Sequence, residues 1–304
     1  MEPVIQIEGL VKIFGNIKAV DDVSLTIQRG EIFGLLGPNG AGKTTTLEML
    51  EGLQNPTMGH ITVLGLDMPD RSSEIKERIG VQLQSSAYFD FLTLREILNL
   101  FGNFYRRHVN ADDLLKLVSL QDKADTLLKK LSGGQKQKFT VAASLVNDPD
   151  LIILDEPTAG LDPIARKSLW DLIRKIHDQQ KTIVLTTHYM EEAEELCHRV
   201  AIMDQGKVLA VDSVTNLIRL LDDGYQLSME TSGRLDLESD LPMLQPNYKD
   251  NGFTISMRVK NPGQILPLII GLAERQGVSV EHLTVTSATL EDVFLDLTGR
   301  HLTG

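Results

Sequence analysis

At 304 residues and 42% hydrophobic content, the chain can bury a full α/β core and has room for a second small domain. Its net charge of −12 argues against nucleic acid as the main partner, because phosphate backbones are bound by clustered Lys and Arg. The single cysteine, Cys197, excludes an intrachain disulfide and fits a reducing compartment, and no apolar run is long enough to span a bilayer.

Residues 3–35 alternate apolar and polar positions and read as antiparallel strands turning at Gly15 and Gly30. Phe14, at a strand end, either stacks on a nucleobase or packs into the core, and spacing does not choose between them. The apolar run Ile32–Leu36 then enters Gly37, Pro38, Asn39, Gly40, Ala41, Gly42, Lys43, Thr44 and Thr45. That spacing lets backbone N–H groups converge on one anion, with the glycines removing side chains that would block the approach. A helix from about Thr44 to Leu53 adds its positive end, Lys43 a mobile cation, and the Thr44 hydroxyl a ligand for Mg²⁺. This is a phosphate-binding loop, but kinases, motors and transport ATPases all use one.

A strand over 59–65, a polar helix over 72–78 and a strand over 79–84 follow, the last ending in Gln84, which alone reads as a surface amide. Residues 93–130 change to helical periodicity, as for a helical insertion. They end in Leu131, Ser132, Gly133, Gly134 and Gln135, where Ser132 can cap a helix whose N–H groups the glycines expose. That is a second anion site of the same physical type, or simply a capped glycine turn. The run Leu151–Leu154 reads as a strand buried on both faces and ends in Asp155-Glu156. In a P-loop protein the first acid suits the Mg²⁺ shell and the second can orient or deprotonate an attacking water. Pro163 opens a helix with Leu169, Leu172, Ile173 and Ile176 on one face, where Trp170 reads as packing. His188 follows a further buried strand, 182–186, at the sheet end where ligands bind in open parallel sheets. The acid run Glu191–Glu195 opens the next helix and suggests no chemistry of its own. Beyond Asp222-Asp223-Gly224, strands near 225–229, 253–259 and 278–285 with helices at 262–275 and from Leu290 suggest a small α+β domain.

With these motifs in this order, the sequence resembles the ATP-binding cassette ATPases, the nucleotide-binding subunits of ABC transporters, over about residues 3–221. The resemblance implies a P-loop ABC ATPase core of α/β class with an antiparallel β subdomain and a helical subdomain near 90–135. Residues 1–221 would form that domain and 222–304 an accessory, regulatory α+β domain. It implies that Phe14 stacks on adenine, that Gln84 joins Thr44 and Asp155 around Mg²⁺, that Glu156 is the catalytic carboxylate and that His188 senses the γ-phosphate. It implies further that Leu131–Gln135 binds the ATP of a second cassette and that Ala159, Gly160, Leu161 and Asp162 form a loop at the dimer interface. The expected partners are a second copy and a separate membrane permease, which would hold this subunit at the inner face of the cell membrane. The C-terminal segment Thr289–Arg300 resembles that of bacterial ABC-2-type exporters, although an amphipathic terminal helix explains it equally well. The alternatives are a soluble ABC ATPase of translation or DNA repair and an importer ATPase.

Overall fold

A computed structural model describes residues 3–83, 89, 91–221, 224–250 and 253–299. The chain divides between Val214 and Thr215 into two compact units.

In the first unit β1 (Pro3–Phe14) and β2 (Ile17–Gln28) form a hairpin through Gly15, whose φ of 58° suits glycine. β3 (Ile32–Leu36) is buried at every position and runs into the glycine loop and α1 (Lys43–Leu50). β4 (Met58–Val63) pairs with β1 and with β5 (Leu66–Met68), completing an antiparallel sheet in the order β2-β1-β4-β5. α2 (Ser72–Lys76) leads to β6 (Ile79–Gln82).

The helical stretch contains α3 (Leu94–Gly102) and α4 (Ala111–Leu117), started by the side-chain caps Thr93 and Asn110. α5 (Gly133–Ser144) follows, then β7 (Leu151–Asp155), α6 (Pro163–His177), β8 (Thr182–Thr187), α7 (Met190–Leu196), β9 (Arg199–Asp204) and β10 (Lys207–Ser213). The second sheet has the order β10-β9-β3-β8-β7-β6, parallel except for β10. β3 thus departs from the antiparallel expectation for 3–35. Its unbroken apolar run is what two covered faces require, whereas β1 and β2 alternate. α1 packs Leu47, Met49 and Leu50 into a core shared by Ile5, Ile7, Val23 and Ile27 of one sheet and Phe33, Leu35, Ile153 and Val184 of the other.

α8 (Val214–Arg219) begins at the boundary. The second unit is a four-stranded antiparallel sheet, β12-β13-β11-β14, formed by β11 (Tyr225–Thr231), β12 (Asn247–Lys249), β13 (Thr254–Val259) and β14 (Val280–Ser287). Three-residue β12 gives no periodic signal and is absent from the sequence reading. α9 (Pro262–Gln276) contributes Ile269, Leu272 and Ala273 to a core with Leu227, Met229, Ile255 and Met257. In α10 (Leu290–Thr298) Leu290, Val293 and Phe294 are buried, while Leu297 is exposed. No helix among the described residues is long and apolar enough to cross a membrane.

The close packing of β6 on α5 depends on one residue without a side chain. A Cβ at Gly80 would stand 1.9 Å from the Ser144 carbonyl oxygen and 2.9 Å from Pro149 Cγ. Backbone cannot yield as a flexible side chain can, so Gly80→Ala is expected to cost about 3 kcal/mol, read as a lower urea midpoint at unchanged slope.

Candidate active site

The loop after β3 is held by backbone approaches that only glycine permits. A Cβ at Gly37 would lie 2.1 Å from the Met203 carbonyl oxygen, and one at Gly42, where φ is 99°, 2.5 Å from that of Ala19. Gly37 N–H donates to Thr187 O at 3.3 Å and Gly206 N–H to Ala41 O at 3.0 Å, which ties the loop to the ends of β8 and β9. Asn39 and Gly40 are exposed at its tip, and Pro38 and Thr45 are partly so. Lys43 is 4% exposed; its Nζ donates to Gly37 O at 2.7 Å and Pro38 O at 3.1 Å. Burial lowers its pKa against the opposing pull of Glu156 and Asp155. The ammonium thus satisfies carbonyls of its own loop.

Three strand ends place the other groups around it. Thr44 Oγ1 donates to Asp155 Oδ1 at 3.3 Å, and the Thr186 hydroxyl donates to the same oxygen while accepting the Glu156 N–H at 2.9 Å. Burial raises the Asp155 pKa, with the two hydroxyls opposing it. Glu156 takes φ 46°, a left-handed conformation costly for a residue with a Cβ, and so turns its carboxylate toward the loop. Its Oε1 stands 3.6 Å from Lys43 Nζ and 3.3 Å from His188 Nδ1. The His188 ring packs on Tyr189, with centroids 4.1 Å apart.

Phe14 is 43% exposed, which removes the core alternative; the Lys12 ammonium lies 4.8 Å from its ring centroid. Gln84 lies outside the described residues. Gln82, passed over in the sequence, is buried, and its amide donates to Asp155 O at 3.4 Å. Ser132 and Gln135 form a reciprocal cap at the start of α5: Gln135 N–H donates to Ser132 Oγ at 3.3 Å and Ser132 N–H to Gln135 Oε1 at 3.1 Å. Leu131 is buried beneath the cap, Ser132 and Gly133 are exposed, and Gly134 is partly so. Ala159, Gly160 and Asp162 are exposed, Leu161 partly, and Asp162 caps α6 through the N–H groups of Ile164 and Ala165. The 159–162 loop starts beside the site, Ala159 N–H donating to Glu156 O at 3.1 Å, and the cap lies against the start of α6, where a Cβ on Gly134 would stand 3.1 Å from Ala165 Cβ. α5 packs on β6, the edge strand, three strand spacings or roughly 14 Å from β3.

Two buried acids gave no sequence signal of function. Glu192 is fully buried although its neighbour Glu191 is exposed. Its spacing with Ala193 and Leu196, one apolar face of a helix, is the pattern that would have located it. Glu51, at the end of α1, is 2% exposed, and neither of its carboxyl oxygens has a hydrogen-bond partner.

A phosphate-binding loop, an acid pair and a histidine at neighbouring strand ends of a parallel sheet define a P-loop ATPase. Residues 20–159 match the ABC transporter family model. The chain is 39% identical over 303 residues to a Nod factor export ATP-binding protein I of Burkholderia lata, covering 98% of each chain. It is 40% identical over 304 residues to one of Mesorhizobium japonicum, covering 97% of this chain and 86% of that one. Among solved structures it resembles the ATP-binding subunit of an ABC transporter at TM-score 0.65 and 28% identity, covering 72% of this chain and 93% of that one. It also resembles an ATP-binding cassette captured as a post-hydrolysis dimer with ADP and Pi, at TM-score 0.63 and 28% identity, covering 69% and 98%. The chain therefore belongs to the ABC transporter family, as an ATP-binding, ATP-hydrolysing subunit of the exporter type.

Burial, reinforced by the charges of Asp155 and Glu48, pushes the Glu51 pKa up to about 8 from an ordinary 4.5. The folded chain therefore holds a proton that the unfolded chain releases between those values, and stability falls as pH rises from about 4.5 to about 8. Glu51→Gln is expected to remove that slope. Urea titrations across pH should show equal stability near pH 4 and a variant more stable by about 3 to 5 kcal/mol above pH 8.

Proposed function

We propose that this subunit works as a head-to-tail pair of identical chains, each ATP lying between the P-loop of one copy and the Leu131–Gln135 cap of the other. The observation that carries this reading is that the two anion-binding elements start from strands three places apart in one sheet, β3 and the β6 edge on which α5 packs, and that Ser132 and Gly133 of the cap are exposed. In the pair, Gly37–Thr45 surrounds the phosphates, Phe14 stacks on the base, and the Ala159–Asp162 loops meet across the interface.

Thr44 and Asp155, together with Gln84, would hold Mg²⁺. Their hard oxygens, with Thr44 Oγ1 and Asp155 Oδ1 3.3 Å apart beside Lys43, suit an ion bound through few protein ligands plus phosphates and water. Among the described residues no group of three acidic, His or Cys side chains offers a full protein cage. Bound there, Mg²⁺ would neutralise phosphate charge. Glu156 accepts a proton from, or orients, the attacking water, and its strained backbone fixes the carboxylate in that direction. His188 donates to the γ-phosphate and reads its presence, and Lys43 moves from its own carbonyls to the phosphate oxygens. ATP thus clamps the pair through charge-assisted bonds that hydrolysis removes.

A separate membrane permease converts that closure into export, and this subunit sits at the inner face of the cell membrane through it. The curated relatives are named for export of Nod factor; export is carried over to this chain, with cargo chosen by the permease. The chain after about residue 222 acts as an accessory, regulatory domain.

The test is Glu156→Gln. Hydrolysis should fall at least about a hundredfold while ATP binding is kept. With ATP and Mg²⁺ the variant should double its mass by light scattering and return to monomer when nucleotide is removed. A variant that binds ATP and stays monomeric contradicts the pairing.

A further inference from the structure

Glu192 is a buried carboxyl that the mechanism above does not use. It lies on α7, one helical turn beyond His188, and is 0% exposed. Trp170 Nε1 of α6 donates to its Oε1 at 3.0 Å; burial raises its pKa, opposed by the hydroxyls of Thr187 and Thr158, the Trp170 N–H and the Arg166 guanidinium. A leucine would fill similar space without a polar atom to satisfy, so packing alone gives no reason for a carboxylate here.

The surroundings supply a reason. Thr158 belongs to the segment that leaves Glu156 and opens into the 159–162 loop. Thr187 accepts the P-loop N–H of Gly37 on its carbonyl and the Tyr189 N–H on its hydroxyl, the latter at 2.9 Å. The Arg166 guanidinium lies 4.3 Å from the centroid of Tyr189, the ring that packs on His188. One carboxyl therefore faces both segments that would have to move together when a second copy closes on the site. The set is also loose: Glu192 Oε2, Thr158 Oγ1 and Arg166 Nε are all buried, and none makes a hydrogen bond of good geometry, although Thr158 is near enough to act on the carboxyl. Three poorly satisfied polar groups around one point are costly, and a small shift of the Thr158 segment would pair them.

We propose that Glu192 is a positioning residue: its carboxylate is the common anchor that locks the Ala159–Asp162 loop, through Thr158, to the Thr187–Tyr189 segment carrying His188. Contact of the second copy with the Ala159–Asp162 loop is passed through Thr158 and Oε2 to the segment that sets His188 against the phosphate. This inference rests on the proposed roles of Glu156, His188 and the pair.

Glu192→Gln keeps size and the Trp170 bond but weakens the anchor. In the full chain, labelled-ATP binding by the single copy should stay within about twofold of wild type while kcat falls about tenfold. Thr158→Val should give a similar fall, and the double variant should be no slower than either single one, because both break one connection. A readout without turnover uses a Glu156→Gln background, where Glu192→Gln should raise the ATP concentration for half-maximal dimerisation about tenfold. A merely structural carboxylate would shift the urea midpoint and leave kcat and dimerisation unchanged. That result, or losses that multiply in the double variant, overturns the proposal. A Glu156→Gln protein that turns over like wild type would instead sink the reading of the site on which the proposal rests.

Discussion

The structure of the first unit depends on how closely backbone can approach backbone around the phosphate loop. Gly37 presses against the Met203 carbonyl at the end of β9 and Gly42 against Ala19 of β2, so the loop is wedged between the central sheet and the antiparallel sheet. The same wedge fixes Lys43 with its ammonium turned onto loop carbonyls, and it sets α1 between the two sheets, where Leu47 and Leu50 complete the core. Any Cβ at these glycines would force strands apart. The anion site and the hydrophobic core are therefore one construction.

Around that wedge the chemistry is assembled from strand ends, which explains how much of it was legible in the sequence. β3, β7 and β8 are buried at every position because both faces are covered, each with an apolar run at its centre, and each leads to a polar group at its end: the loop, Asp155-Glu156, and His188. Motif and fold are visible together there. The reciprocal cap of Ser132 and Gln135 was half visible, as Ser132 alone, since the return bond from Gln135 is side-chain geometry. Phe14 could not be placed by spacing; only its exposure at the end of a hairpin removes the core alternative.

Among side chains, what the sequence concealed was of one kind: polar groups whose burial is decided by tertiary packing. Glu192 sits in an acid run that looks like helix-dipole charge, and only the packing of α6 over α7 encloses it. Glu51 falls within the helix expected over 44–53 with nothing to single it out, but is enclosed near Asp155. Gln82 lies in a strand whose expected terminal amide was two residues further on. In each case local pattern gave the element and its type, and long-range neighbours gave the environment. Strand pairing shows the same division, since the run 32–36 carries its burial in its composition but not the identity of β8 and β9 as its partners.

The central claim is that a competent site is built from two chains, and subunit mixing tests it most directly. Lys43→Ala disables the phosphate loop. Gly133→Asp places a negative charge on the cap at a position where a side chain meets nothing within 4 Å, so the fold is kept. Each variant alone should be inactive. Mixed, their mixed pairs contain one site whose loop and cap are both intact, so ATP turnover should reappear on mixing and grow with the fraction of mixed pairs. If the mixture remains as inactive as its components although mixed pairs form, the site is not shared between chains and the account is wrong.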